Sequence, residues 1–147
     1  FFSNYESLYD RVRCSSMLRE RVHFSGYVPD EDLVAIYNSA LAAAMPSYSE
    51  GFGLPAVEAM ACGAPVLSSD RGSLPEVVGD AGLYFDPFDI DSISAALVEM
   101  VENTSLREKL AHCAVSRAGQ FSWERVARLT LQHLEAMHER EKPETSV

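Results

Sequence analysis

Short apolar runs alternate with stretches of helical spacing along almost the whole chain, and this limits the folds open to it. Residues 41–45, 65–68 and 82–85 are compact apolar runs, and residues 22–26 alternate like a further short strand. Between them lie helical patterns. Leu33, Ile36, Tyr37 and Ala40 follow Pro29-Asp30, with Asp30 as cap, and residues 54–61 follow a loop, with Pro55 in the first turn and Gly63 as the stop. Residues 74–78 make a short helical turn, and Asp89 caps a helix that turns Ile90, Ile93, Leu97, Met100 and Val101 inward. Residues 105–118 form a helix on Leu106 and Leu110. Ser122 caps the last helix, whose stripe is Trp123, Val126, Thr130, Leu134 and Met137, with Trp123 read as core. Residues 4–20 are mixed and helix-compatible, with Leu8, Val12 and Leu18 inward. Strands that are apolar throughout, separated by helices, predict an α/β protein with a Rossmann-like parallel sheet flanked by helices. Ligands of such sheets bind beyond the carboxyl ends of the strands, which directs attention to the loops after residues 26, 45, 69 and 85.

Composition narrows the function. Hydrophobic residues make up 47% and charged residues 23% of the 147, which is a globular balance and excludes a disordered or fibrous chain. With 12 Lys+Arg against 22 Asp+Glu the net charge is −10, which argues against nucleic acid or an anionic membrane as the main partner. No apolar run approaches the roughly 20 residues of a membrane span, and Phe1-Phe2-Ser3-Asn4-Tyr5 has neither the basic start nor the apolar centre of a signal peptide. The lack of a starting Met raises the expectation of a piece of a longer protein. Cys14, Cys62 and Cys113 are widely spaced and odd in number, which predicts reduced, buried or half-buried thiols in a cytoplasmic protein. His23 is read as packed on its strand, Arg71 as a surface residue just past a strand end, and Glu76 as structural.

The loop after the second apolar run is the most unusual segment. Glu50-Gly51-Phe52-Gly53-Leu54 places two glycines around one aromatic directly before a helix. The glycines let a ligand approach the main chain, and the amides of Phe52, Gly53 and Leu54 would point out of a helix start, where an anion is favoured. Pro55 has no amide, so the donors precede it. A carboxylate at Glu50 is odd beside phosphate alone but suits a phosphate that carries a hydroxyl-rich group. Glu58 lies eight residues later, about one turn inside a helix that starts near Leu54, so that one carboxylate serves sugar hydroxyls and the other a ribose diol. Taken singly, each feature also fits a plain strand-to-helix turn, a cap or a solvated helix residue.

The eleven residues from Glu50 to Met60 resemble the E-x7-E signature of the GT-B glycosyltransferase family 4, also called glycosyltransferase group 1. Val22-x-Phe24-x-Gly26-x-Val28 is similar to the strand before the family's base-binding loop, and Ala61-Cys62-Gly63-Ala64-Pro65-Val66 to its A-x-G-x-P-V run. The segment from Gly72 to Gly82 and Phe121-Ser122-Trp123 extend the resemblance over about residues 20–138.

That resemblance implies a retaining glycosyltransferase that uses a nucleotide-diphosphate sugar as donor and a carbohydrate or lipid-linked acceptor, without metal or other cofactor. Glu50 would be the catalytic-site residue, orienting the donor sugar. Gly51, Phe52, Gly53 and Leu54 would hold sugar and diphosphate through the backbone, Glu58 the ribose, and Tyr27 and Val28 would border the base. The Ser73–Ala81 run is similar to that of GDP-mannose users, which makes mannose the first expectation for the hexose. The location implied is cytoplasmic or peripheral at the inner membrane face. Residues 1–141 would be the partial C-terminal donor domain and 142–147 a frayed tail, with the N-terminal GT-B domain and the first donor-domain strands missing. The family's diphosphate-binding Arg and Lys would be missing with those strands. Such a piece is expected to expose sheet edges, to self-associate and to be inactive alone. A non-catalytic nucleotide-binding or interaction module, and a GT-B phosphorylase or epimerase, are the alternatives.

Overall fold

The computed structural model describes residues 3–140, so the expected tail at 142–147 lies outside the described residues. The chain forms two compact units, one ending at Leu33 and the other beginning at Val34. In the first, helices α1 (Ser3–Cys14) and α2 (Ser16–Arg21) are joined at Ser15, whose hydroxyl accepts the Leu18 amide at 3.3 Å. Val12 is buried, while Tyr5 and Tyr9 stand around Phe24 with ring centroids at 5.7 and 5.2 Å. Leu8, read as inward, is exposed, and so is Cys14.

Residues 22–26 are not a strand. The segment between α2 and α3 (Asp30–Ser39) forms no ladder, and His23 is exposed where packing was expected. The reason is physical: a period of two allows a strand, but only a neighbour's backbone groups make one. Asp30 is the first residue of α3 and not its cap.

In the second unit, β1 (Ala43–Met45), β2 (Val66–Ser69) and β3 (Gly82–Phe85) form a parallel sheet in the order β1-β2-β3. Ala43 stands opposite Val66, which stands opposite Gly82, and Ser69 stands opposite Phe85. Leu41 falls before β1 and is half exposed. The crossovers run through α4 (Leu54–Ala61) and through α5 (Leu74–Val78) with the 3-10 turn Gly79–Ala81. α6 (Ile90–Glu102), α7 (Thr104–Ala118) and α8 (Trp123–Arg140) follow.

All four residues of β2 are buried, and the strand period separates two cores. Val66 packs with Ala56, Met60, Leu74, Val78 and Ala114, whereas Leu67 packs with Phe85, Ala96, Met100 and Leu110. The sheet is therefore covered on both faces, which is why its strands read as apolar throughout. Helix stops and starts follow the sequence. Gly63 (φ 77°) ends α4 with Ala64 N–H on the Ala59 carbonyl and Gly63 N–H on that of Met60, both at 3.0 Å. Asp89 caps α6, and the Ser122 hydroxyl accepts the Arg125 amide at 3.1 Å. Arg117 of α7 reaches across to the Val77 carbonyl at 2.9 Å and to that of Glu76, closing the end of α5.

The stripe of α8 departs from expectation. Trp123 is 76% exposed, and Val126, Leu134 and Met137 are more than half exposed. Ile90 and Leu97 of α6 are also exposed. The helical period is as read, but among the described residues nothing covers those side chains. Among those residues no helix is long and apolar enough to cross a membrane.

Candidate functional site

Because the three strands are parallel, the loops 46–53, 70–73 and 86–89 leave the same edge of the sheet. Two buried or half-buried serines tie the first two together. Ser69 ends β2 fully buried, donates its hydroxyl to the Ser47 carbonyl at 2.7 Å and accepts the Arg71 amide at 3.1 Å. Ser73 places its hydroxyl 3.1 Å and its amide 3.4 Å from the Glu50 carbonyl. Gly72 (φ +61°) lies so close that a Cβ there would stand 3.0 Å from the Glu50 nitrogen and 3.1 Å from its oxygen. Only glycine suits both that backbone conformation and that approach. The Glu50 backbone is thus clamped from the next loop, and its carboxylate is steered by the Ser47 hydroxyl at 2.8 Å on Oε1.

Beyond Glu50 the chain turns into α4. Gly53 takes the left-handed conformation (φ 92°, ψ 49°), and a Cβ on it would stand 2.8 Å from Leu74 Cδ2. Its carbonyl accepts the amides of Ala56 and Val57. Among the described residues, the amides of Gly51, Phe52, Gly53 and Leu54 donate to no protein acceptor. The helix dipole adds its positive end at the same place. Phe52 is held edge-on against Phe121 with centroids 5.6 Å apart. Glu58 lies one turn into α4 with its side chain exposed. The Tyr37 phenol is pushed above its usual range by burial, then by the charges of Glu58 and Cys62.

On the third loop, the Phe88 amide, and then the Arg71 guanidinium, hold the Asp86 carboxyl below its ordinary range. Arg71 lies between two acids, with Nε 2.9 Å from Asp70 and Nη2 2.9 Å from Asp86. It is the surface residue that the sequence suggested, but paired.

Of the residues predicted for the site, Glu50, Gly51, Phe52, Gly53, Leu54 and Glu58 fall on one continuous loop and helix start. Tyr27, which is 89% exposed, and half-buried Val28 belong to the first compact unit. Sequence reasoning did not assign the residues that position Glu50, namely Ser47, Ser69, Gly72 and Ser73. Their signals were present as a serine closing an apolar strand and a glycine directly after a strand-end arginine. Among the described residues no group of His, Cys, Asp and Glu could hold a metal ion.

The chain as a whole is similar to known proteins. Residues 10–116 match the profile of the family described as Glycosyl transferases group 1. The chain is 49% identical over 110 residues to the O-antigen chain mannosyltransferase B of Escherichia coli, covering 75% of this chain and 29% of that protein. It is 37% identical over 114 residues to an E. coli serotype-specific mannosyltransferase, covering 78% and 14% of the two. In three dimensions it resembles the sucrose-phosphate synthase of Thermosynechococcus elongatus with a TM-score of 0.79 and 30% identity, over 94% of this chain and 34% of that one. The chain thus spans less than a third of the curated relatives it matches. With its parallel sheet, its glycine-flanked loop and a profile match over most of its length, the chain belongs to the glycosyl transferases group 1 family.

Proposed function

We propose that this chain is the donor-binding part of a retaining glycosyltransferase that moves a hexose, mannose first, from a nucleotide-diphosphate sugar to a glycan or lipid-linked acceptor. The observation that carries the reading is the run of unspent amides at 51–54 at a helix start, with a carboxylate on either side. Free amides at a helix N-terminus suit a diphosphate. A carboxylate repels an anion but accepts hydrogen bonds from hydroxyls, so Glu50 and Glu58 suit the two polyol ends of a sugar nucleotide. The mannosyltransferase relatives favour mannose as the group transferred.

In this reading the departing diphosphate spreads its negative charge onto amides that are already aimed and need no reorganisation. Glu50, fixed by Ser47 and by the Gly72-Ser73 clamp, orients the donor sugar. Glu58 takes the ribose hydroxyls. The chemistry requires no metal in this scheme.

The test is a thermal-shift panel of GDP-mannose, UDP-glucose and ADP-glucose on the intact protein, repeated with Glu58→Ala. A donor at a hundred times its dissociation constant stabilises the folded state by about 2.7 kcal/mol. One donor should raise the melting temperature of the wild type and do so far less in the variant. Identical melting with and without every donor, in both proteins, would overturn the proposal.

A further inference from the structure

The unspent amides at 51–54 can act together only if the loop that carries them is held. Its two ends are tied: the Glu50 carbonyl to Ser73, and the Gly53 carbonyl to Ala56 and Val57 of α4. Between those ties Gly51 offers no hold, for no atom beyond its chain neighbours lies within 4 Å of the place its Cβ would take. Phe52 carries the one side chain in that gap. Its ring meets the Phe121 ring edge-on, with centroids 5.6 Å apart and planes at 85°, the arrangement that the ring quadrupoles favour. Phe121 is itself fixed from three directions. It sits in the turn between α7 and α8, where its amide donates to the Ala118 carbonyl at 2.9 Å. Its ring is half-buried on the core that holds Met60 and Val66. The Arg117 guanidinium stands 5.0 Å from its centroid and is anchored on the carbonyls of Val77 and Glu76 and, at 2.7 Å, on Gln120 Oε1.

We infer that Phe121 is a positioning residue of the donor site: it holds the Phe52 ring and so fixes the direction in which the amides of residues 51–54 point. The inference rests on the nucleotide-sugar reading above and deepens it. The peptide groups on either side of the Phe52 Cα carry the amides of Phe52 and Gly53, so a backbone rotation that swings the ring away also turns these donors. A loop free to rotate binds a diphosphate only in the fraction of molecules that aim the amides together, and the apparent affinity falls by that fraction. An edge-on aromatic pair is strong enough to shift such a fraction about three- to tenfold. The contact also gives the aromatic between two glycines a task, since neither Gly51 nor Gly53 has a side chain by which the loop could be held.

The experiment is calorimetric titration of the intact wild type and its variants with GDP-mannose, or with UDP-glucose or ADP-glucose where the panel above selects one of these. Phe121→Leu keeps an apolar side chain in the turn but removes the ring, and should weaken binding about three- to tenfold. Phe121→Tyr, which keeps the ring, stays within about twofold. Phe52→Leu breaks the same pair from its more exposed side and should lose the same factor as Phe121→Leu. Because the two rings act as one unit, the double variant Phe52→Leu/Phe121→Leu should bind no more weakly than either single variant. Ser122→Ala removes the cap of α8 without touching the rings and should bind as the wild type does. Melting without donor reports that each protein is folded. Wild-type affinity in Phe121→Leu or Phe52→Leu, or losses that add in the double variant, overturns the positioning role while the donor reading stands. A loss in Ser122→Ala equal to that in Phe121→Leu also overturns it, since the start of α8 and not the ring would then be responsible. If the wild type binds no nucleotide sugar, the donor reading falls and the role of Phe121 falls with it.

Discussion

Helices α4 and α8 begin alike and end up in opposite environments. Each follows a turn, each has a recognisable start, and each carries apolar residues at helical spacing. α4 buries Ala56, Ala59 and Met60 completely against the sheet. α8 leaves Trp123, Val126, Leu134 and Met137 in solvent, and beside Phe52, Leu54 and Val57 its first turn borders an open apolar groove. The comparison teaches that an amphipathic period defines a face and says nothing about what meets it. The face of α4 is met because the strands on either side of it, β1 and β2, present their own apolar side to it.

The largest effect that would break this contrast is in α4. Met60 is fully buried, so Met60→Ala should cost about 2–4 kcal/mol in chemical denaturation. A loss below about 1 kcal/mol would mean that α4 is as loosely held as α8. Next comes the start of α4. Gly53→Ala has to adopt a left-handed backbone and press a methyl onto Leu74, at a cost of about 2–3 kcal/mol by the same measurement. Wild-type stability in that variant would show that the turn is free to rearrange.

A smaller effect tests the packed half by pH. Tyr84 donates its hydroxyl to the Gly79 carbonyl at 2.7 Å. Burial raises its phenol above the usual 10.0, with Asp80 adding and Arg117 opposing. A raised folded value favours the protonated form, so this contribution is complete below pH 10.0 and is lost as the pH climbs through the raised value. Tyr84→Phe should cost about 1 kcal/mol at neutral pH and flatten the alkaline limb of the stability curve. An unchanged limb would remove Tyr84 as its source. The smallest effect belongs to α8, where Leu134→Ala on this chain should stay within about 0.5 kcal/mol. A cost equal to that of Met60→Ala would show that the stripe is covered after all.

The candidate site was legible to an uneven degree. Gly51, Gly53, Pro55 and the two acids could be read because a strand-to-helix turn is written in adjacent residues. The clamp on Glu50 could not, since Ser69 and Ser73 act on residues 22 and 23 positions away. Trp123 was misplaced as core, because its helical register is local while its exposure depends on what lies opposite. The strand expected at 22–26 failed for the same kind of reason, for alternation is local and pairing is not.

By itself the sequence determined the α/β alternation, the caps at Asp89 and Ser122, the stop at Gly63 and the glycine-flanked loop before α4. These depend on dihedral preferences and on hydrogen bonds spanning a few residues. Tertiary structure alone decided which apolar stripes are covered, which extended segments become strands, and how Glu50 is held beside Ser47 and Ser73. Burial and ladder pairing require a surface from a distant part of the chain, and that surface exists only after the chain has folded.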